Sequence, residues 1–298
     1  MFQELIAKGL VKQKRYDNGL SVFKYTREVF YKALWNEDPL LLEARGMVLD
    51  DDGNKVIWPF TKVFNHHENG TELDLDTVVI APRKVNGFMA SVRYWNGELI
   101  ISTTGTLDSD FVALARKHIE KLNMDLLETY ASVQTMLFEI CDASDPHIVE
   151  EEEGAYLIGA RCMQGEGEGQ MAPELVLDVF ARFIGAKRPE VFRGTFREVL
   201  ELLQDCKHEG YMVRLTEREE TVMKLKSPHY LAKKFLMRMG QKKVDFMFTN
   251  KEEFLKTIDE EFYSIVHHIT RWYDAESWGR KTDAERREKI EEYFEFQY

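Results

Sequence analysis

Ser227 divides this sequence into two kinds of pattern. Before it, short apolar runs alternate with period two, the spacing of strands with one covered face. After it the spacing turns helical. That switch predicts an α+β body over residues 1–227 and a small all-α C-terminal domain over 228–298. Within the body, "RGMVLDDDGNKVIWPF" reads as strands joined by a turn, and residues 77–81, 88–95 and 98–103 read as three more strands. Asn96-Gly97 is a tight-turn signal between the last two. "RKVNGF" lies between the first two, which would place Lys84 at the mouth of a buried hairpin. Ser109 opens a helical period through Phe111, Leu114, Ala115, His118, Ile119 and Leu122. "QTMLFEICDA" and "AYLIGARC" read as buried strands. "TFRE" at 195–198 is a capping box for a helix through Leu203. "EGYMVRL" and "ETVMKLKS" alternate like a strand pair. In the tail, Asn250 with Glu253 caps one helix, and Asp283 is expected to cap another.

Composition narrows the function classes. At 298 residues with 44% apolar content, the chain can bury a substantial core in one large or two smaller domains. The net charge of −12 argues against nucleic-acid binding over the whole surface. The exception is Lys224 to Lys243, which holds seven Lys or Arg and no Asp or Glu. This island could follow a nucleic-acid backbone; equally, Lys233, Lys234 and Arg238 could line the solvated face of a helix. Cys141, Cys162 and Cys206 are few, odd in number and far apart, which fits a reducing compartment. With no signal-peptide pattern and no run of the roughly 18 apolar residues needed for a membrane span, the expectation is a soluble cytoplasmic protein.

Several polar residues sit where burial demands a reason. The string Lys84-Val85-Asn86-Gly87 is uninformative alone, since K-x-x-G arises about once by chance in such a chain. Glu139 lies among apolar neighbours in "LFEI", and a buried carboxylate needs a partner, a metal or a ligand. Glu209-Gly210 opens an apolar strand. Lys224 and Lys226 fall on one face of a strand, where two ammonium groups repel unless an anion lies between them. A polyphosphate would serve, although lysines also guard solvated strand edges. Arg45 begins a strand and Lys62 precedes "VFN"; an Arg fork can grip phosphate.

In this order, "ARG" with Arg45, "TKVFN" with Lys62, "KVNG" with Lys84, "FEI" with Glu139, "YLIGAR" around Tyr156, "EGYMV" with Glu209 and "MKLKS" with Lys224 and Lys226 resemble the covalent nucleotidyltransferase superfamily of DNA ligases, RNA ligases and capping enzymes. The elements before Lys84 and the helical tail resemble the bacteriophage tRNA-repair type of ATP-dependent RNA ligase. The match spans roughly residues 40–230. It departs from the common pattern at Phe88, where many members carry a small hydroxyl residue.

The resemblance implies a nucleotidyltransferase body of antiparallel sheets and helices, ATP-grasp-like, followed by the helical domain. It implies Lys84 as the nucleophile that takes AMP from ATP, with Gly87 allowing close phosphate approach. Arg45, Lys62, Lys224 and Lys226 would form a cationic clamp, and the nearby cations would favour the neutral form of Lys84. Glu139 would contact the ribose, Tyr156 or Ile158 the adenine, and Glu209 would hold Mg²⁺ or Mn²⁺. The implied partner is RNA with 5′-phosphate and 3′-hydroxyl ends, broken tRNA included, joined by a monomer. A phage- or virus-encoded protein acting in host cytoplasm fits the same picture. Two alternatives stand beside it: a DNA ligase or capping-type enzyme, whose usual extra β-barrel the helical tail does not resemble, and an RNA-binding module without chemistry. A zinc site is not expected, because His66-His67 and His267-His268 are adjacent pairs without spaced partners. "EEEE" at 150–153 reads as a solvated loop, "GEGEG" at 165–169 as a hairpin tip, and Trp272, Tyr273, Trp278 and Tyr293 as helix core.

Overall fold

The structure is a computed structural model that describes residues 1–145, 147–217, 220–237 and 239–296. It forms two compact units built from interleaved segments. Unit 1 comprises Met1–Val63, Val85–Glu190 and Leu215–Thr221; unit 2 comprises Phe64–Lys84, Val191–Arg214 and Val222–Tyr298.

Unit 1 carries two four-stranded antiparallel sheets. The first runs in the order β1 (Val11–Arg15), β2 (Ser21–Tyr25), β3 (Arg45–Leu49), β4 (Lys55–Ile57). Its inward side chains, among them Leu20, Val22, Val48 and Ile57, make a small core. The second sheet uses β6 (Phe88–Trp95), β7 (Glu98–Ser102), β8 (Gln134–Cys141) and β9 (Gly154–Cys162), in the order β7-β6-β8-β9. The β6–β7 turn is Asn96-Gly97, both with positive φ (51° and 82°), the geometry that this dipeptide favours. The helices Asp110–Ile119, Met124–Ala131 and Glu174–Ile184 cover one face of the sheet. Met136, Phe138 and Ile140 of β8 point into that core, together with Ala155 and Leu157 of β9. Period-two alternation therefore turns Glu139 and Cys141 of β8, with Tyr156 and Ile158 of β9, to the other face.

Unit 2 holds β5 (Val78–Pro82), β10 (Val191–Thr195) and, apart from Leu215 and Thr221, β11 (Gly210–Leu215) and β12 (Thr221–Lys226), ordered β10-β5-β11-β12. The helix Phe196–Asp205, opened by the expected Thr195/Glu198 capping box, packs Phe196, Val199 and Leu203 onto Val79, Ala81, Val213, Met223 and Leu225. From Pro228 onward the regular elements are helical, with Trp278 buried among them.

Three expectations are corrected here. β5 and β6 are not a hairpin: β5 pairs with β10, β6 pairs with β7 and β8, and "RKVNGF" carries the chain from one sheet to another. The final helix is capped by Thr282, whose hydroxyl accepts from Glu285 N–H while Glu285 reaches back, so Asp283 is its first residue. Trp272 is 65% exposed and is not core. Among the described residues no helix is long and apolar enough to cross a membrane.

Candidate active site

In unit 2, the backbone clips Lys84 to the start of β11. Its N–H donates to Gly210 O at 2.8 Å, and Arg83 bridges to Tyr211. Gly210 also lets β12 approach closely. Its φ is +141°, and an added Cβ would lie 2.0 Å from the Leu225 carbonyl oxygen of β12. The preceding residue, Glu209, is buried (side chain 4% exposed), and its carboxylate lies 2.9 Å from the Lys84 ammonium. Lys84 was expected among cations; the partner observed is an anion, which balances the charge locally.

β12 places its residues as the alternation predicts. Met223 and Leu225 enter the core, leaving Lys224 and Lys226 on the other face. The Lys224 backbone is held by the 64–66 segment, donating to Phe64 O at 2.9 Å and accepting from His66 N–H at 3.2 Å. Lys226 is buried, and its ammonium binds Glu261. Burial alone would lower the Lys226 pKa, but the charges of Glu261 and then Glu209 outweigh it and hold it above the ordinary value. Burial likewise pushes Glu261 up, and Lys226 and Lys234 outweigh it, so the carboxylate stays ionised far down the pH scale. The anion beside Lys226 is thus a side chain of the tail, shared with Lys234. Lys234, offered as a solvated-face residue, is instead buried, 2.5 Å from Glu261 and 3.0 Å from Asp259. Lys233 is half-buried, and Arg238 lies outside the described residues.

In unit 1, Val85, Cys141, Tyr156 and Ile158 pack together on the face of the β6–β9 sheet opposite the core that holds Met136, Phe138 and Ile140. Glu139 stands opposite Tyr156 in the β8–β9 ladder and accepts the Gly87 N–H at 3.1 Å. Gly87 earns its place by packing: a Cβ there would sit 2.2 Å from Ile140 O. The Tyr156 hydroxyl donates to Glu152 O at 3.1 Å, and the Lys187 ammonium lies 5.6 Å from the ring centroid. Asn86, passed over in the sequence, is buried and accepts from Val149 N–H at 2.9 Å, while its own N–H donates to Glu151 at 3.2 Å. The acidic run is therefore partly structural. Arg45 opens β3 half-buried. Lys62 is buried, with its ammonium 4.9 Å from the Trp35 ring centroid and 5.9 Å from that of Phe30.

The structure thus brings Lys84, Glu209 and Lys226 together in unit 2 and Gly87, Glu139, Tyr156 and Ile158 together in unit 1. Arg45 sits on β3 and Lys62 in the irregular segment after β4, both in unit 1. The sequence reading missed Glu261 and the role of Asn86, and it left Lys234 between a nucleic-acid-tracking island and a solvated helix face. A further group, His118, Asp142 and Glu153, could present three metal-ligand atoms. Its Asp142 already has the Lys117 ammonium at 2.8 Å and the His118 ring at 2.6 Å on one oxygen. Lys117, then Ser144 and His118, hold that carboxyl far below its usual range.

No protein-family model and no curated protein matches the sequence. Solved structures do match in fold. Form 2 of an archaeal ATP-dependent RNA ligase aligns with TM-score 0.63 at 16% identity, covering 99% of this chain and 76% of that one. Form 1 gives 0.62 at 14%, with coverage of 99% and 76%. A putative ATP-dependent DNA ligase from Aquifex aeolicus gives 0.59 at 14%, with 99% and 77% covered. The fold, α+β with antiparallel sheets, is that of nucleotidyltransferase-type ligases.

Proposed function

With that fold as premise, we propose that the chain is an ATP-dependent RNA ligase working through a covalent lysine–AMP intermediate on Lys84. One observation carries the reading: the Lys84 ammonium lies 2.9 Å from the buried Glu209 carboxylate, on the strand pair that also presents Lys226. Opposite charges this close attract one another, so this is a resting pair. Lys84 must leave Glu209 and shed a proton before its nitrogen can attack.

The Lys84 nitrogen then bonds to the α-phosphorus of ATP, the bond to the bridging oxygen breaks, and pyrophosphate leaves with that electron pair. The nitrogen loses its remaining extra proton to become a phosphoramidate. An RNA 5′-phosphate oxygen next attacks the same phosphorus, and Lys84 departs as the amine, regaining a proton. Finally a 3′-hydroxyl attacks the activated 5′-phosphate and AMP leaves. Such transfers depend on positioning and charge neutralisation, which buried lysines provide. Lys224 and Lys226 take phosphate oxygens, joined in the proposal by Arg45 and Lys62. On unit 1, Glu139 takes a ribose hydroxyl and the Tyr156–Ile158 surface receives the adenine. Glu209 is a hard oxygen donor, and Mg²⁺ needs only one or two carboxylates plus substrate phosphates, so the donor set fits a divalent cation that would neutralise phosphate charge. The proposed setting is cytoplasmic repair of RNA, broken tRNA included, by a monomer with its helical domain over 228–298.

Incubation with ATP labelled on the α-phosphate tests this. Label should stay with the denatured chain, survive alkali and vanish in Lys84→Ala; an unlabelled wild-type chain, after stripping of bound AMP with pyrophosphate, would sink the reading in favour of a binding module. DNA joining is the second reading, favoured by the fold likeness to the Aquifex protein. Nicked duplexes with RNA or DNA 5′-phosphate strands separate the two.

A further inference from the structure

Lys226 and Lys234 converge on the single carboxylate of Glu261, and both lysines and the glutamate are nearly buried, with side chains 10%, 10% and 7% exposed. The ammonium groups flank one ring, lying 5.7 Å and 5.8 Å from the Tyr230 centroid. Lys234 also faces Phe262 at 5.5 Å, and Phe262 is anchored 5.3 Å from Phe235. The lysines are thus set by packing. Glu261 reaches them from a single 3₁₀ turn, Glu260–Phe262. Within unit 2 the charges alternate: Lys84 with Glu209, Glu209 acting on Lys226, Lys226 with Glu261, Glu261 with Lys234, and Lys234 with Asp259. Two fixed cations around one carboxylate make an anion site filled by the chain itself.

We propose that Glu261 is an internal anion, holding the Lys226–Lys234 pair in the resting protein and yielding it to the terminal phosphates of the nucleotide. This rests on the reading of Lys226 as a phosphate-binding lysine, and it adds Lys234 as a second one. A carboxylate offers two oxygens and one charge. A terminal phosphate offers three oxygens and close to two charges, so it matches two ammonium groups better. The exchange makes nucleotide binding and release of the Glu260–Phe262 turn one equilibrium. Product pyrophosphate leaves as Glu261 returns.

Binding of inorganic pyrophosphate to the full chain, measured by calorimetry, tests the exchange. Glu261→Gln keeps the shape and removes the competing charge, so it should bind pyrophosphate about tenfold more tightly, within the usual range of coupling between two ligands. Lys234→Met should bind about tenfold more weakly. Equal or weaker binding by Glu261→Gln overturns the proposal, as does unchanged binding by Lys234→Met. If the glutamine variant fails to fold by circular dichroism, the wild type still decides. Pyrophosphate should speed hydrogen exchange over 259–263, and unchanged or slowed exchange refutes it. The lysine–AMP gel runs in parallel. Labelled protein without the exchange signature leaves the ligase reading standing and removes this inference. The exchange signature without label does the reverse.

Discussion

Replacing Gly210 by alanine should strike both stability and chemistry. The residue has φ +141°, a region closed to side chains, which costs about 1–3 kcal/mol. The new Cβ would lie 2.0 Å from Leu225 O and 2.8 Å from Leu225 C, so β11 and β12 must part by more than an ångström; such overpacking costs about 1–3 kcal/mol. The combined loss is about 2–6 kcal/mol. With a urea m-value of roughly 3 kcal/mol/M, the unfolding midpoint should fall by about 1 M. Separation also moves Gly210 O from the Lys84 N–H, so folded variant should form lysine–AMP slowly. Two other glycines calibrate the measurement. Gly53→Ala meets nothing within 4 Å but has φ +84°, so it should show conformational strain alone. Gly279→Ala has open space, an ordinary φ and a helical position, and should stabilise by about 0.5–1 kcal/mol. A Gly210→Ala protein whose midpoint stays within about 0.3 M of wild type, with unimpaired labelling, would refute the close-approach argument.

Glu209→Gln should cut lysine–AMP formation by at least about 100-fold, and single-turnover labelling at the wild-type rate would remove Glu209 from the site. Burial, then the charge of His67, lowers the His66 pKa from 6.5 to about 4. Because the folded state resists this proton while the unfolded chain accepts it, stability is full above pH 6.5 and is lost as pH falls towards 4. His66 is only half-buried, so the loss should be about 1–2 kcal/mol after discounting for solvent screening. His66→Leu should remove that part of the pH dependence in urea titrations, and parallel wild-type and variant curves would contradict it. Trp278→Ala should cost about 3–5 kcal/mol, read as a lower tail-unfolding midpoint by tryptophan-independent circular dichroism; a change under 1 kcal/mol would show that the tail packs without it.

Local rules made the sheet elements legible. Alternation in "MKLKS" placed Met223 and Leu225 inward with Lys224 and Lys226 on the other face, and the Thr195/Glu198 capping box formed as read. The fold likeness to nucleotidyltransferase-type ligases agrees with the ordered motifs. What failed was pairing over distance. Two neighbouring strands suggested a hairpin, yet β5 found β10, far along the chain, because hydrophobic period reports a strand's faces and not its partner. Lys234 looked solvated because sequence shows a charge but not the buried carboxylate opposite it. Glu261 was invisible for the same reason: an ion pair between residues 35 positions apart leaves no periodic trace. The helix-cap error was one residue, with Thr282 and Asp283 both competent and the reciprocal Glu285 contact deciding.

The interleaving of the units bears on how the chain is made. Phe64–Lys84 is synthesised long before its sheet partners, since β10 begins at Val191. At ~5–20 residues per second, β5 waits roughly 5–20 s on the ribosome with its pairing edges open. Val79, Ile80 and Ala81 are fully or nearly buried when folded and stand bare during that interval. The strand that leads to Lys84 is therefore open to misassociation while the chain is made, and slowing translation after residue 84 should lower the soluble yield.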